Sequence, residues 1–99
     1  MKDLINGLNR EFESRLRLGI MSILMVNDTA EFKMLRETLE VTDGNLASHL
    51  AALEKAGYIK VKKRFIERKP NTSYSPTKDG RKAFAEHLDY LEKFLKKNK

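Results

Sequence analysis

The sequence predicts a small, mostly helical α+β domain whose elements run helix, helix, helix, strand, strand, helix. Three observations predict it. Apolar residues recur at spacings of three and four through much of the 99-residue chain, the period of an amphipathic helix. Over residues 58–65 that period gives way to strict alternation, the period of a strand with one face inward. Between these segments stand turn-prone residues: Asn27, Asp28, Gly44, Gly57, Pro70 and Asn71.

The first helix is predicted over residues 3–25, on the stripe Leu4, Leu8, Phe12, Leu16, Ile20, Ile23 and Leu24. Asn27, Asp28 and Thr29 break it. Residues 30–32 read as a short extra strand or as the lead-in to the second helix. That helix is predicted over 33–39, on Phe32, Leu35 and Leu39. A turn follows at 41–44. The side-chain oxygen of Thr42 or Asp43 can accept from a free first-turn amide and so cap the third helix, over 43–56. Leu46, Leu50 and Leu53 form its inner stripe. Gly57 ends it, because glycine takes the left-handed conformation at low cost.

Within the following strand Ile59, Val61, Lys63 and Phe65 share the inward face, and Tyr58, Lys60, Lys62 and Arg64 the other. Residues 68–71 are predicted as the hairpin tip, stiffened by Pro70, and 72–75 as the returning strand. Thr77 caps a last helix over 78–97, on Phe84, Leu88, Leu91 and Leu95, with Ala83, His87, Tyr90 and Phe94 beside them. Its lysine-rich end complements the helix dipole.

Composition narrows the function classes. A hydrophobic content of 40% is too high for a disordered chain of this charge. The length suits a single domain over 1–99. No apolar run approaches the roughly 20 residues that span a bilayer, and the first residues lack the apolar core of a signal peptide. A cytoplasmic protein is expected, with no membrane partner. The absence of cysteine excludes disulfides and thiolate metal sites. His49 and His87 have no ligand cluster around them, so neither metal nor other cofactor is expected. No phosphate loop, nucleophile elbow or paired carboxylate is present, so no enzyme is expected. Asp79, Glu86 and His87 do not form an acid–base site on this reading; Asp79 suits the positive end of a helix.

The net charge is +6, which suits a polyanionic partner. Its distribution is more telling. Residues 58–69 hold Lys60, Lys62, Lys63, Arg64, Arg68 and Lys69 against one acid, Glu67. The plain reading is a solvated hairpin whose charges prevent edge aggregation. The functional reading is a hairpin that grips phosphates.

The second helix, the turn and the third helix have the form of a helix-turn-helix, whose second helix enters the major groove of DNA. Such a helix needs small or polar residues outside. Gly44, Asn45, Ser48, His49 and Ala52 meet that need. Asn45 and Ser48 carry short hydrogen-bonding groups that can reach base edges or phosphates. The plainer alternatives are a first-turn capping role for Asn45 and a half-buried packing role for His49.

Residues 46–59, and Ser48-His49-Leu50 in particular, resemble the recognition-helix-to-strand segment of ArsR- and MarR-type regulators. Residues 72–84 resemble the segment of MarR-like proteins where a Thr-x-x-Gly-Arg pattern, here Thr77, Gly80 and Arg81, opens the last helix. The two occur in the family's order and spacing, and with the first helix the resemblance covers most of the chain. It implies a winged helix-turn-helix that binds double-stranded DNA as a homodimer. By position it implies DNA contacts from Gly44, Asn45, Ser48 and His49 in the helix, and from Lys62, Lys63, Arg64, Arg68, Lys69 and Thr72 in or beside the wing. The metal-sensing cysteines of ArsR proteins are absent, and the helices that enclose effector pockets in MarR proteins are short here. The effector is left open.

Phe84, Leu88, Leu91 and Phe94 offer more apolar surface than one small core needs, so the terminal helices are expected to form a two-fold interface. The rival is that they pack within one copy. The rival function is a winged-helix protein-interaction module that binds no DNA.

Overall fold

The computed structural model describes residues 2–97, with side chains from Ile5 onward. The expected side chain of Leu4, and residues Asn98 and Lys99, lie outside the described residues. Helix α1 (Lys2–Gly7) is followed by a 3-10 turn (Arg10–Phe12) and α2 (Arg15–Asn27). Then come β1 (Ala30–Glu31), α3 (Phe32–Leu39), α4 (Asp43–Lys55), β2 (Ile59–Ile66), β3 (Lys69–Pro76) and α5 (Lys78–Lys97). The strands form one antiparallel sheet in the order β1-β3-β2. The extra strand expected near residue 30 is therefore present, with Ala30 opposite Tyr74.

The expected continuous first helix is broken. Asn9 caps the 3-10 turn, its side chain accepting from the Glu11 amide, and Ser14 then caps α2 by accepting from the Arg17 amide. Each cap satisfies an amide that lacks a partner at a helix start. The break also serves packing. Phe12 is buried against Tyr58, Phe84 and His87, with ring centroids 5.2–5.3 Å away. The Asn9 amide donates to His87 Nδ1 (2.9 Å), and its side-chain nitrogen donates to the Tyr58 hydroxyl (2.8 Å). Leucine periodicity cannot register contacts made this far along the chain.

The core is shared by all the larger elements: Phe12, Ile20, Met21, Leu24, Leu35, Leu46, Leu50, Leu53, Ile59 and Phe84 are buried. Phe84 is thus a core residue, not the interface residue expected from its helix. Burial of each α4 leucine contributes about 2–3 kcal/mol, which fixes the inner side of that helix. Thr42 caps α4 by accepting from the Asn45 amide.

At the other end of α4 the Gly57 amide donates to Glu54 and the Tyr58 amide to Leu53, with Gly57 at φ 82°. This is the Schellman closure that glycine permits. Thr77 joins it to α5. Its hydroxyl donates to the Gly57 carbonyl (2.6 Å) and accepts from the Gly80 amide (2.9 Å). Its own amide donates to the Tyr58 carbonyl (3.0 Å). Gly80 is buried so close to that carbonyl that a Cβ would overlap it. Arg81 reaches back to Asp28 (2.7 Å), the left-handed residue that ends α2. The Thr-x-x-Gly-Arg pattern is therefore a clasp: cap, close approach, ion pair.

Two outcomes test this packing. Gly80→Ala should lower stability by about 2–3 kcal/mol, since the new methyl meets backbone rather than a movable side chain; an unchanged urea midpoint would contradict the clasp. His87 supplies the second. Burial lowers its imidazole below the ordinary value, opposed by the nearby Glu13 charge. The unfolded chain then binds the proton more readily, so stability is full above the unfolded value of about 6.5 and declines as pH falls below it. A melting temperature that drops between about pH 7.5 and about pH 5 is expected, with the His87 share of that drop missing in His87→Asn, which keeps an acceptor but cannot titrate. Identical pH slopes in the two proteins would refute it.

Candidate nucleic-acid interface

The outer side of α4 follows from its inner one. With 3.6 residues per turn, the direction opposite Leu46, Leu50 and Leu53 is occupied by Gly44, Ser48, Ala51, Ala52 and Lys55. Gly44, Asn45, Ala47, Ser48, Ala51 and Lys55 are exposed, and Ala52 and His49 are half-buried. Beyond its own stretch of helix, no heavy atom lies within 4 Å of where a Gly44 Cβ would stand. A helix with so few projecting side chains can approach another surface closely. Asn45 sits a little to one side, on the rim of a shallow cleft of about 400 Å³ with Ser14, Arg15, Leu16, Leu39, Val41 and His49. Arg36 and Asp43 form an exposed ion pair (2.9 Å) at the start of the helix.

His49 does not share the free outer face. It is turned toward α2, where its Nδ1 accepts from Arg17 Nε (2.9 Å). The half-buried packing role weighed from the sequence describes its ring, and Asn45 and Ser48 are left as the unencumbered polar residues.

The β2–β3 hairpin stands beside α4. Its register runs from Ile59 opposite Pro76 to Ile66 opposite Lys69, so the tip is Glu67 and Arg68 rather than residues 68–71. Both have positive φ, 51° and 67°, as a two-residue type I′ turn requires. Pro70 is a strand residue opposite Phe65. In this register its missing amide faces away from β2, beyond the reach of β1, where no ladder bond is lost.

The inward face of β2 is shorter than alternation predicts. Ile59 is buried and Val61 half-buried, but Phe65 is 76% exposed because the hairpin outruns the core there. The predicted cations are all exposed, on two faces. Lys63, opposite the half-buried Thr72, lies on the side turned to α4 and lines a cleft there with Ala47, Ala51, Glu54 and Tyr74. Lys62 and Arg64 alternate onto the other side, where Arg64 donates to Asn71 across the hairpin (3.4 Å). Arg68 is at the tip, and Lys69 beside it. At the hairpin base burial raises the Tyr74 hydroxyl above its ordinary value, helped by the Glu54 charge, so this tyrosine is a neutral anchor for the wing.

Residues 16–95 match the family described as the winged helix DNA-binding domain. The chain belongs to this family. A protein of Methanocaldococcus jannaschii described as uncharacterized is 38% identical over 77 residues, 78% of this chain and 84% of that one. The solved structure of a transcriptional regulator homologue from Pyrococcus horikoshii superposes with a TM-score of 0.86 at 29% identity, covering 96% of this chain and 92% of that one. A MarR family member of Lactococcus lactis, described as zinc-responsive, shares the fold with a TM-score of 0.64 at 21% identity, over 86% of this chain and 58% of its own. The chain thus shares its winged-helix fold with a MarR family member.

In winged-helix terms α3 and α4 are the helix-turn-helix, with Glu40, Val41 and Thr42 as the turn, and β2–β3 is the wing. Two cations near the helix lie outside the contacts expected from the sequence. Lys55, which the sequence reads as a solvated neighbour of Glu54, lies seven positions beyond Ser48 and so on the same face. Arg17 had no local signal, because its contact with His49 spans 32 positions. Among the described residues no group of three His, Cys, Asp or Glu side chains could hold a metal ion, and no helix is long and apolar enough to cross a membrane.

Proposed function

We propose that the protein is a sequence-specific regulator that binds double-stranded DNA with α4 in the major groove and the wing on the flanking backbone. The observation that carries this reading is the continuity of two surfaces. The small-residue outer face of α4 adjoins the cationic side of the wing, and the domain family is a DNA-binding one. Asn45 and Ser48 read base edges, while Gly44 permits close approach to the strand. Lys63, Thr72 and Arg68 bind phosphates beside the helix, and Lys69, opposite Ile66 on the far face, reaches the backbone from the end of the wing. Lys62 and Arg64, on the far side of the wing, add to the attractive field. A protein-interaction module does not need so many cations around a bare helix.

We further propose a homodimer. Leu88 and Leu95 on α5 are 46% and 67% exposed, and half-buried Leu91 lies between them on one stripe. Helix α5 is about 30 Å long, and only Gly80, Phe84 and His87 along it are buried. Helix α1 packs along it, with Gly7 so near the Tyr90 ring that a Cβ would overlap it. A second copy covering the leucine stripe would present two recognition helices to two half-sites.

Gel-shift titration tests the interface. The double change Arg68→Ala and Lys69→Ala should weaken binding to every DNA sequence and reduce the slope of log K against log salt by about two. Asn45→Ala should instead alter the ranking of selected sites, with discrimination of about 1–3 kcal/mol lost at one position. If neither change affects binding, α4 and the wing are not the interface. Sedimentation equilibrium tests the dimer: a dimer is expected at micromolar concentration, and a monomer from Leu88→Lys with Leu95→Lys. A wild-type protein that sediments as a monomer would remove the two-fold arrangement.

A further inference from the structure

Arg17 belongs to α2, outside both the recognition helix and the wing, and its guanidinium is held at two points. Its Nε–H donates to His49 Nδ1 at 2.9 Å, and a terminal nitrogen donates to the Glu11 carboxylate at 2.8 Å. The side chain is 23% exposed, so packing restricts it as well.

A neutral imidazole carries one proton, and the nitrogen that accepts is the bare one. With Nδ1 accepting from Arg17, the proton stands on Nε2. Among the described residues Nε2 has no partner within the chain, and no buried side-chain nitrogen or oxygen is left unpartnered. His49 is half-buried, so Nε2–H reaches solvent as a free donor. It does so on a flank of α4. His49 is one helical turn from Asn45 and displaced from the Ser48–Lys55 crown toward α2. A group on that flank meets the strand bordering the groove rather than base edges.

We propose that Arg17 is a positioning residue for DNA binding: it locks His49 in the Nε2–H tautomer, so that α4 offers a hydrogen-bond donor to a backbone phosphate oxygen. This inference rests on the reading of α4 as the DNA-binding helix. Glu11 completes the arrangement by fixing the guanidinium from the far side, so a residue of the 3-10 turn sets the orientation of a group on the recognition helix. The pattern is that of a ligand side chain whose tautomer is chosen by the hydrogen bond at its other nitrogen.

The experiment compares wild type with His49→Ala, Arg17→Met, Arg17→Gln and the double change Arg17→Met with His49→Ala, each checked for folding by circular dichroism. Heteronuclear NMR of the imidazole nitrogens in the free protein reads the tautomer, and titration with specific and unrelated DNA reads affinity. Arg17→Gln is the informative control: its amide nitrogen occupies the position of Nε and can still donate, without the charge. The expected result is a bare Nδ1 and a protonated Nε2 in wild type and Arg17→Gln, and loss of that preference in Arg17→Met. Arg17→Met and His49→Ala should each weaken binding roughly tenfold on both DNAs, the gain expected of a hydrogen bond to a charged group. The double change should be no weaker than either alone, and Arg17→Gln should stay near wild type.

Equal weakening by Arg17→Gln and Arg17→Met, with the salt slope reduced by about one, would mean that Arg17 itself pairs with phosphate and would overturn the proposal. So would a protonated Nδ1 in wild type, or a His49→Ala effect confined to the specific DNA. A wild type that binds no DNA defeats the reading of α4 and the phosphate contact with it. The tautomer spectra, taken without DNA, still decide separately whether Arg17 orients His49.

Discussion

The clasp between the end of α4 and the start of α5 is the constraint on which the rest of the structure depends. Three hydrogen bonds from one residue, Thr77, join the Gly57–Tyr58 turn to the α5 N-terminus. Gly80 lets the two backbones meet without a side chain between them. Because β2 leaves that turn and β3 enters Thr77, both legs of the wing are set at the same point. The angle between α4 and the wing is therefore set by hydrogen bonds to backbone and by the close backbone approach at Gly80, which are stiffer than a contact between side chains. A DNA-binding surface split between a helix and a hairpin needs that stiffness, since an error in the angle would take one half out of register with the duplex.

A second constraint holds the N-terminal segment against this frame. Phe12 supplies apolar contact with Tyr58, Phe84 and His87, while Asn9 supplies the polar contacts to two of the same residues. The pairing matters energetically. A buried imidazole without a partner would cost more than its packing returns, and the Asn9 amide provides that partner. The break between α1 and α2 is thus the condition for a satisfied core, and it places Glu11 and Arg17 alongside α4.

Local chemistry made the order of elements legible in the sequence, including the cap at Thr42, the closure at Gly57 and the Thr77–Gly80–Arg81 pattern. Each acts within a few residues, so a local reading can find it. The misreadings share the opposite property. The first helix looked continuous because Leu8, Phe12 and Leu16 keep helical spacing; what interrupts it is contact with residues 49 and 78 positions away. The tip was displaced because Glu67 and Arg68 take positive φ without being glycine or asparagine, leaving Pro70 as the stronger local signal. Phe65 followed the strand period correctly, but a strand does not record where the core beneath it stops. Phe84 was assigned to an interface because helix periodicity shows that a face is apolar, not what covers it. For the candidate site, exposure of Asn45, Ser48 and the basic wing followed from pattern. The engagement of His49 by Arg17 did not, since nothing local links α2 to α4.

The division of cations within the wing changes how the surface is best understood. Read along the sequence, residues 60–69 form one basic block. Read through the register, alternate residues leave on opposite sides, and only Lys63 and the tip are placed to work beside α4. Charges on the far side still lower the energy of approach over about a Debye length of 8–10 Å, but they cannot form close phosphate bonds at the same time as their neighbours. The hairpin therefore separates two tasks that a one-dimensional count merges. In the proposed complex one side holds the duplex at short range and fixes its position against α4, while the other raises the rate at which any duplex arrives. On that proposal specificity comes from the few polar groups of α4, because neither side of the wing distinguishes one phosphate from the next.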